Sequence, residues 1–274
     1  MIILWIVALV VGLTVAAAAS RRAVTHAIGA SEHAGISAGF VGVTIVAIGT
    51  DLPEIAASII AAIRGEGDLI IGDAAGSAFT QVTLVLAILC LAAAITADRV
   101  SIATLGALTV GALVLVAFLV ADGVFSRLDG FVLVALWVGA LIVTYVIEPP
   151  GDHSAGGSRR DAVRAALRSL GWLAVVAAAS TLVVESFVEL TDDIGVPQLV
   201  ASAVVLSLGT SLPELVVDLT ALRRGAAALA LGDLFGSSLL DATLAIGIGP
   251  ALRATTVSND ATTACLIAAS SIPD

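Results

Sequence analysis

The sequence predicts an all-α membrane protein whose two halves repeat each other in opposite orientation and carry broken helices. Three observations predict it. Of the 274 residues, 59% are hydrophobic and only 12% charged, with a mean hydropathy of +1.12; a soluble domain would be about a quarter charged. Apolar runs of about 20 residues, enough to cross a hydrocarbon core about 30 Å thick, recur from one end to the other. Finally, the motif GTDLPE at 49–54 returns as GTSLPE at 209–214.

Taken in order, the apolar spans are 1–19, 34–64, 68–94, 100–121, 128–147, 165–190, 197–224 and 227–249, eight in all. The first resembles a signal peptide in length, but Arg21 and Arg22 follow the apolar stretch instead of preceding it. That order predicts a retained spanning helix. A last apolar stretch from Ala261 to Asp274 is too short to span, so the second half is expected to be incomplete within these residues. The polar linker lies at 148–164, between a first repeat at 1–147 (core 34–94) and a second at 165–274 (core 197–249).

Arginine supplies all 12 basic residues. With the N-terminus outside, Arg21, Arg22, Arg99, Arg159, Arg160, Arg164, Arg168, Arg223 and Arg224 fall on inner loops, and only Arg64, Arg127 and Arg253 on outer ones. The positive-inside rule therefore predicts a multi-pass protein of the cell membrane with its central linker in the cytoplasm. Cys90 and Cys265 are scattered through apolar segments and read as packing residues. His26, His33 and His153 lack ligand spacing. No cofactor, nucleic acid or obligate protein partner is expected, and the chain is not expected to be an enzyme.

The repeat extends well beyond its motif. At a constant offset of 160, GDAAGS at 72–77 returns as GDLFGS at 232–237, and 16 of the 40 positions from 49 to 88 match their partners. The copies lie five spans apart, an odd number, so they face opposite ways. In such architectures a site forms where the repeats meet.

The chemistry is carried by acids beside helix breaks. Pro53 and Pro213 cannot donate a backbone hydrogen bond, so carbonyls near Gly49 and Gly209 lose partners. In lipid, freed carbonyls persist only where something else satisfies them. Glu54 and Glu214 follow the prolines directly, with Thr50 and Thr210 one turn before them on the same face. Asp51 joins that face, and Ser211 is its repeat partner. On the next helices Asp73, Ser77 and Gln81 form one stripe, and Asp233, Ser237 and Asp241 the matching one. The glycine pairs Gly72/Gly76 and Gly232/Gly236 allow close helix approach.

Asp51, Glu54, Asp73, Glu214, Asp233 and Asp241 thus sit in apolar spans with no arginine among them. An ionised acid at mid-helix costs about 2.5–3.5 kcal/mol even on insertion scales. Protons or ions from solution must supply the counter-charge. Carboxylate, hydroxyl, amide and carbonyl oxygens suit Ca²⁺ and Na⁺, whereas softer metals would want Cys or His. Asp218, close to Arg223, reads as a solvated residue near the interface.

At these residues the chain resembles the prokaryotic sodium/calcium exchangers of the cation/calcium antiporter superfamily, whose two α-repeats carry the doubled GT-S-LPE and G-x-x-x-GS motifs. The resemblance implies an inverted pair of five-helix halves with four cation positions around two central glutamates. Position by position, Glu54 and Glu214 take the central roles. Thr50, Ser77, Thr210, Ser211, Ser237 and Asp241 fall on ligand positions, as do the carbonyls of Ala47 and Ser207. Asp51 stands where that family usually has Ser, Gln81 where it has Asn or Asp, and Asp73 and Asp233 where Asn is common. The implied activity is antiport of Ca²⁺ against Na⁺. Exchange against H⁺ and an inactive truncated relic are the alternatives, and a channel is disfavoured because it would need acid rings around an oligomeric axis.

Overall fold

The computed structural model describes residues 2–93, 99–147, 158–193 and 211–272, and nearly all of them are helical. Two helices of unusual length pack side by side: α1 (Ile2–Ala34) and α7 (Arg159–Asp193). At 33 and 35 residues they run about 50 Å, well beyond the hydrocarbon thickness. Each helix therefore continues beyond its apolar span, 1–19 in α1 and 165–190 in α7. Arg21, Arg22 and their neighbours read as a loop by polarity, yet the helix continues because α7 supports it along its length. Gly12 abuts Ala179 and Val183, while the Ser169 hydroxyl donates to the Ala23 carbonyl at 3.0 Å. Positions early in one helix thus meet positions late in the other, so the two are antiparallel. The Arg22 guanidinium covers the Trp172 ring at 4.5 Å, which shelters its charge on a polarisable face.

Between them in sequence lie α2 (Ala38–Thr50) and α3 (Leu52–Arg64), a pair bent by 51° at its break. α4 (Gly67–Ala92), α5 (Arg99–Leu119) and α6 (Arg127–Ile147) complete the first half. In the second half α8 (Leu212–Arg223), α9 (Ala227–Leu252) and α10 (Asn259–Ser270) follow α7. The first part of the seventh sequence-predicted span, 197–210, lies outside the described residues. Six described helices are long and apolar enough to cross a membrane, or seven with the bent pair counted as one span. A short antiparallel ladder, β1 (Val124–Phe125) on β2 (Thr255–Thr256), ties the α5–α6 turn to the α9–α10 turn.

The centre of the molecule is α9, almost wholly buried although it is a membrane helix. Its neighbours include α2, α3, α5, α6 and α8. Where α2 crosses it, a Cβ on Gly232 would fall 2.2 Å from the Gly39 carbonyl oxygen, and one on Gly236 2.5 Å from the Val43 Cα. Only glycine permits this approach. The expected counterpart at Gly72 and Gly76 meets no atom within 4 Å among the described residues; the partners of Gly39 and Val43, residues 199 and 203, lie outside them. Repeat-related Gly65 and Gly225 end α3 and α8 alike, with φ of 80° and 76°. Cys265 is buried and Cys90 faces outward from α4.

Candidate cation site

Both helix breaks are built the same way. Asp51 has φ −85° and ψ 12°, and its repeat partner Ser211 has −95° and 11°, a sparsely populated conformation between helix and extended chain. A fresh helix starts at the next residue in each case, with Pro53 or Pro213 in its first turn, where the missing N–H is no loss. The break therefore precedes the proline by two residues, and is not a kink centred on it. Glu54 and Glu214 consequently sit in the first turns of α3 and α8. There the unpaired backbone N–H groups favour negative charge.

The helices facing the breaks carry π-turns at Gln81–Val85 in α4 and Asp241–Ala245 in α9, again 160 residues apart. A third lies at Gly42–Val46 in α2. Such turns admit an extra residue and redirect side chains, and they concentrate at functional sites. Gln81 and Asp241 open their respective turns and meet. The Gln81 Nε2 donates to Asp241 Oδ2 at 3.2 Å, while its Oε1 accepts from the Ser238 hydroxyl at 2.8 Å. An ionised Asp241, which can only accept, sets which way the amide points.

Asp51, Glu54 and Glu214 converge, each offering a carboxylate oxygen within 4.8 Å of the others. They are 0%, 2% and 0% exposed, and all six of their oxygens lack a hydrogen-bond partner. Asp241 Oδ1, Ser77 Oγ and Ser211 Oγ are likewise buried and unpartnered. The Thr50 hydroxyl reaches the carbonyls of Val46 and Ala47 at 3.1 and 3.2 Å, and lies 3.4 Å from both Asp233 Oδ1 and Ser237 Oγ. The Ala47 carbonyl also accepts from the Asp51 N–H at 3.0 Å.

Of the twelve sequence-predicted site residues, ten are described and buried: Ala47, Thr50, Asp51, Glu54, Ser77, Gln81, Ser211, Glu214, Ser237 and Asp241. Thr210 and Ser207 lie outside the described residues. Asp73 is partly exposed on α4, but Asp233 is fully buried. Sequence reasoning missed Asp218. Far from being solvated, it is 0% exposed with both oxygens unpartnered. Its four-residue spacing from Glu214 was the available signal, since that puts both acids on one face.

Buried acids require compensation, and the only ion pair between described residues is Arg164 with Asp161 at the surface. What the core offers instead is a pocket of hard oxygen donors, too many to be satisfied by one another. Such a set holds small cations.

Known proteins carry the same framework. A family described as sodium/calcium exchanger protein matches residues 4–146 and 165–271. The sodium/calcium exchanger MaX1 of Methanosarcina acetivorans is 27% identical over 80% of this chain and 74% of its own length. The inner membrane protein YrbG of Escherichia coli K12 is 27% identical over 89% of this chain and 78% of its own. A solved structure of the sodium-calcium exchanger NCX_Mj superposes with a TM-score of 0.79 at 25% identity, covering 98% of this chain and 89% of that one. With nearly its whole length matched, and with unpaired carboxylates enclosed where its two copies meet, this chain belongs to the sodium/calcium exchanger family and is a membrane cation antiporter, not an enzyme.

Proposed function

We propose that the chain exchanges Ca²⁺ for Na⁺ across the cell membrane by alternating access of one buried site to the two faces. The convergence of Asp51, Glu54 and Glu214, with six unpartnered oxygens between them, carries this reading. Glu54 and Glu214 are the central Ca²⁺ ligands, and Asp51 and Asp241 add charge. Hydroxyls of Thr50, Ser77, Thr210, Ser211 and Ser237, the Gln81 amide and the carbonyls of Ala47 and Ser207 complete the ligand set.

Exchange follows from desolvation. A buried ion without a partner costs several kcal/mol, so these carboxylates do not rearrange bare. The site turns over only when loaded, first with one cation and then with the other, and transport in one direction is tied to transport in the other.

The two halves, 1–147 and 165–274, act as the repeats that move relative to each other, joined by the 148–164 linker. The N-terminus is outside and the linker cytoplasmic. The contacts of the arginines support this sorting: Arg224 donates to Thr25 at the end of the molecule where Arg22 covers Trp172, whereas Arg253 donates to the Ile63 carbonyl and Arg127 to that of Ala251 at the other end. Ca²⁺ flux into proteoliposomes tests the proposal. An imposed Na⁺ gradient is expected to drive it, and a pH gradient alone is not. Flux driven by pH alone would identify H⁺ as the coupling ion, and flux under neither gradient would overturn antiport.

A further inference from the structure

We infer that Asp218 and Asp233 form a second seat for a hard cation, adjoining the Asp51, Glu54 and Glu214 group and sharing Thr50 and Ser237 with it. The inference rests on the reading of those three carboxylates as a cation site. Asp218 lies one turn along α8 from Glu214, and Asp233 reaches it from the buried helix α9. The two carboxylates are close enough to act on each other electrostatically. Both residues are 0% exposed, and three of their four carboxylate oxygens have no hydrogen-bond partner.

Two acids brought together in the interior need positive charge between them, and no described arginine reaches them. The surrounding donors suit a cation. Thr50 Oγ1 stands 3.4 Å from Asp233 Oδ1, with Ser237 Oγ a further 3.4 Å from Thr50. Carboxylate and hydroxyl oxygens of this kind are hard ligands for Ca²⁺ or Na⁺.

Repeat symmetry does not explain the pair. The partner of Asp218 is Ser58, whose hydroxyl instead accepts from the Gly249 N–H at 3.2 Å, and the partner of Asp233 is the partly exposed Asp73. The seat therefore belongs to one copy alone, and it adjoins the central site through the Ala47 carbonyl, which accepts from both the Thr50 hydroxyl and the Asp51 N–H.

Equilibrium binding of radiolabelled Ca²⁺ and, separately, Na⁺ to the purified full chain tests this. Asp218→Asn is expected to bind one equivalent fewer of one of the two cations per chain, while keeping the Ca²⁺ that Glu214→Gln loses. Asp218→Ser, which installs the hydroxyl found at Ser58, is expected to do the same and serves where the first variant does not elute as a single species. Unchanged stoichiometry for both cations in a folded variant would overturn the seat and leave the pair sharing a proton. A wild-type chain that binds neither cation would overturn the central site, and this seat with it.

Discussion

Gln81 and Asp241 occupy the same position in the two copies, and they are hydrogen-bonded to each other at 3.2 Å. Two residues related by a two-fold can touch in this way only at the axis, so this bond marks where the copies meet. One copy contributes an amide and the other an acid, and the pair stays neutral enough to need only one counter-charge.

Gln81→Leu removes that bond and leaves Asp241 Oδ2 without its donor, while the Ser238 hydroxyl keeps the Leu234 carbonyl at 2.9 Å. Each buried polar group left unpaired costs about 1–3 kcal/mol. Thermal unfolding in detergent is expected to shift down, and Ca²⁺ flux to fall because Asp241 loses its orientation. A melting curve that overlays the wild type would contradict the assigned bond.

Glu54→Gln and Glu214→Gln keep the volume of each side chain but remove its charge. Each is expected to abolish Ca²⁺ flux in proteoliposomes while the purified protein remains folded. Near-normal transport in either variant sinks the central assignment.

Asp51→Ser copies Ser211 into the first break. One of three converging carboxylates is lost, yet both glutamates remain. The concentration of Ca²⁺ at half-maximal flux is expected to rise on the order of tenfold, about 1.4 kcal/mol, with the maximal rate retained. An unchanged concentration dependence would mean that Asp51 does not touch the cation.

Gly232→Ala forces α9 away from α2, since the added methyl would lie 2.2 Å from the Gly39 carbonyl oxygen. Because that contact is backbone, no side chain can yield. The melting midpoint is expected to drop by several degrees. Equal midpoints for Gly232→Ala and wild type would contradict the crossing.

Single cysteines placed in the 150–160 linker, in a background with Cys90 and Cys265 replaced, are expected to react only from the cytoplasmic side. Labelling of intact cells by a membrane-impermeant reagent would reverse the orientation.

Much of this was legible in the sequence because it depended on local chemistry. Proline beside a mid-span acid, repeated at one offset, pointed to the helix breaks and to the buried acids next to them. Hydropathy failed where tertiary packing decided the outcome. The polar stretch after Ala19 is helical because α7 lies against it. Asp218 is buried because the enclosed helix α9 covers it, and distance from the nearest arginine in sequence says nothing about that cover. The position of each break, two residues before its proline, depends on backbone angles that a motif does not specify.

The copies are alike in backbone but unequal in charge, and this has a consequence for direction. In a carrier of two interchangeable halves, the state open to one face becomes the state open to the other when the halves trade roles. Identical halves would make those states equal in energy and equal in affinity. Here Asp51 answers to Ser211, Ser58 to Asp218 and Gln81 to Asp241. Trading roles therefore moves acids from one side of the axis to the other. Under the proposed alternating access, the two open states then differ in free energy, and the empty carrier is expected to rest facing one side of the membrane more than the other.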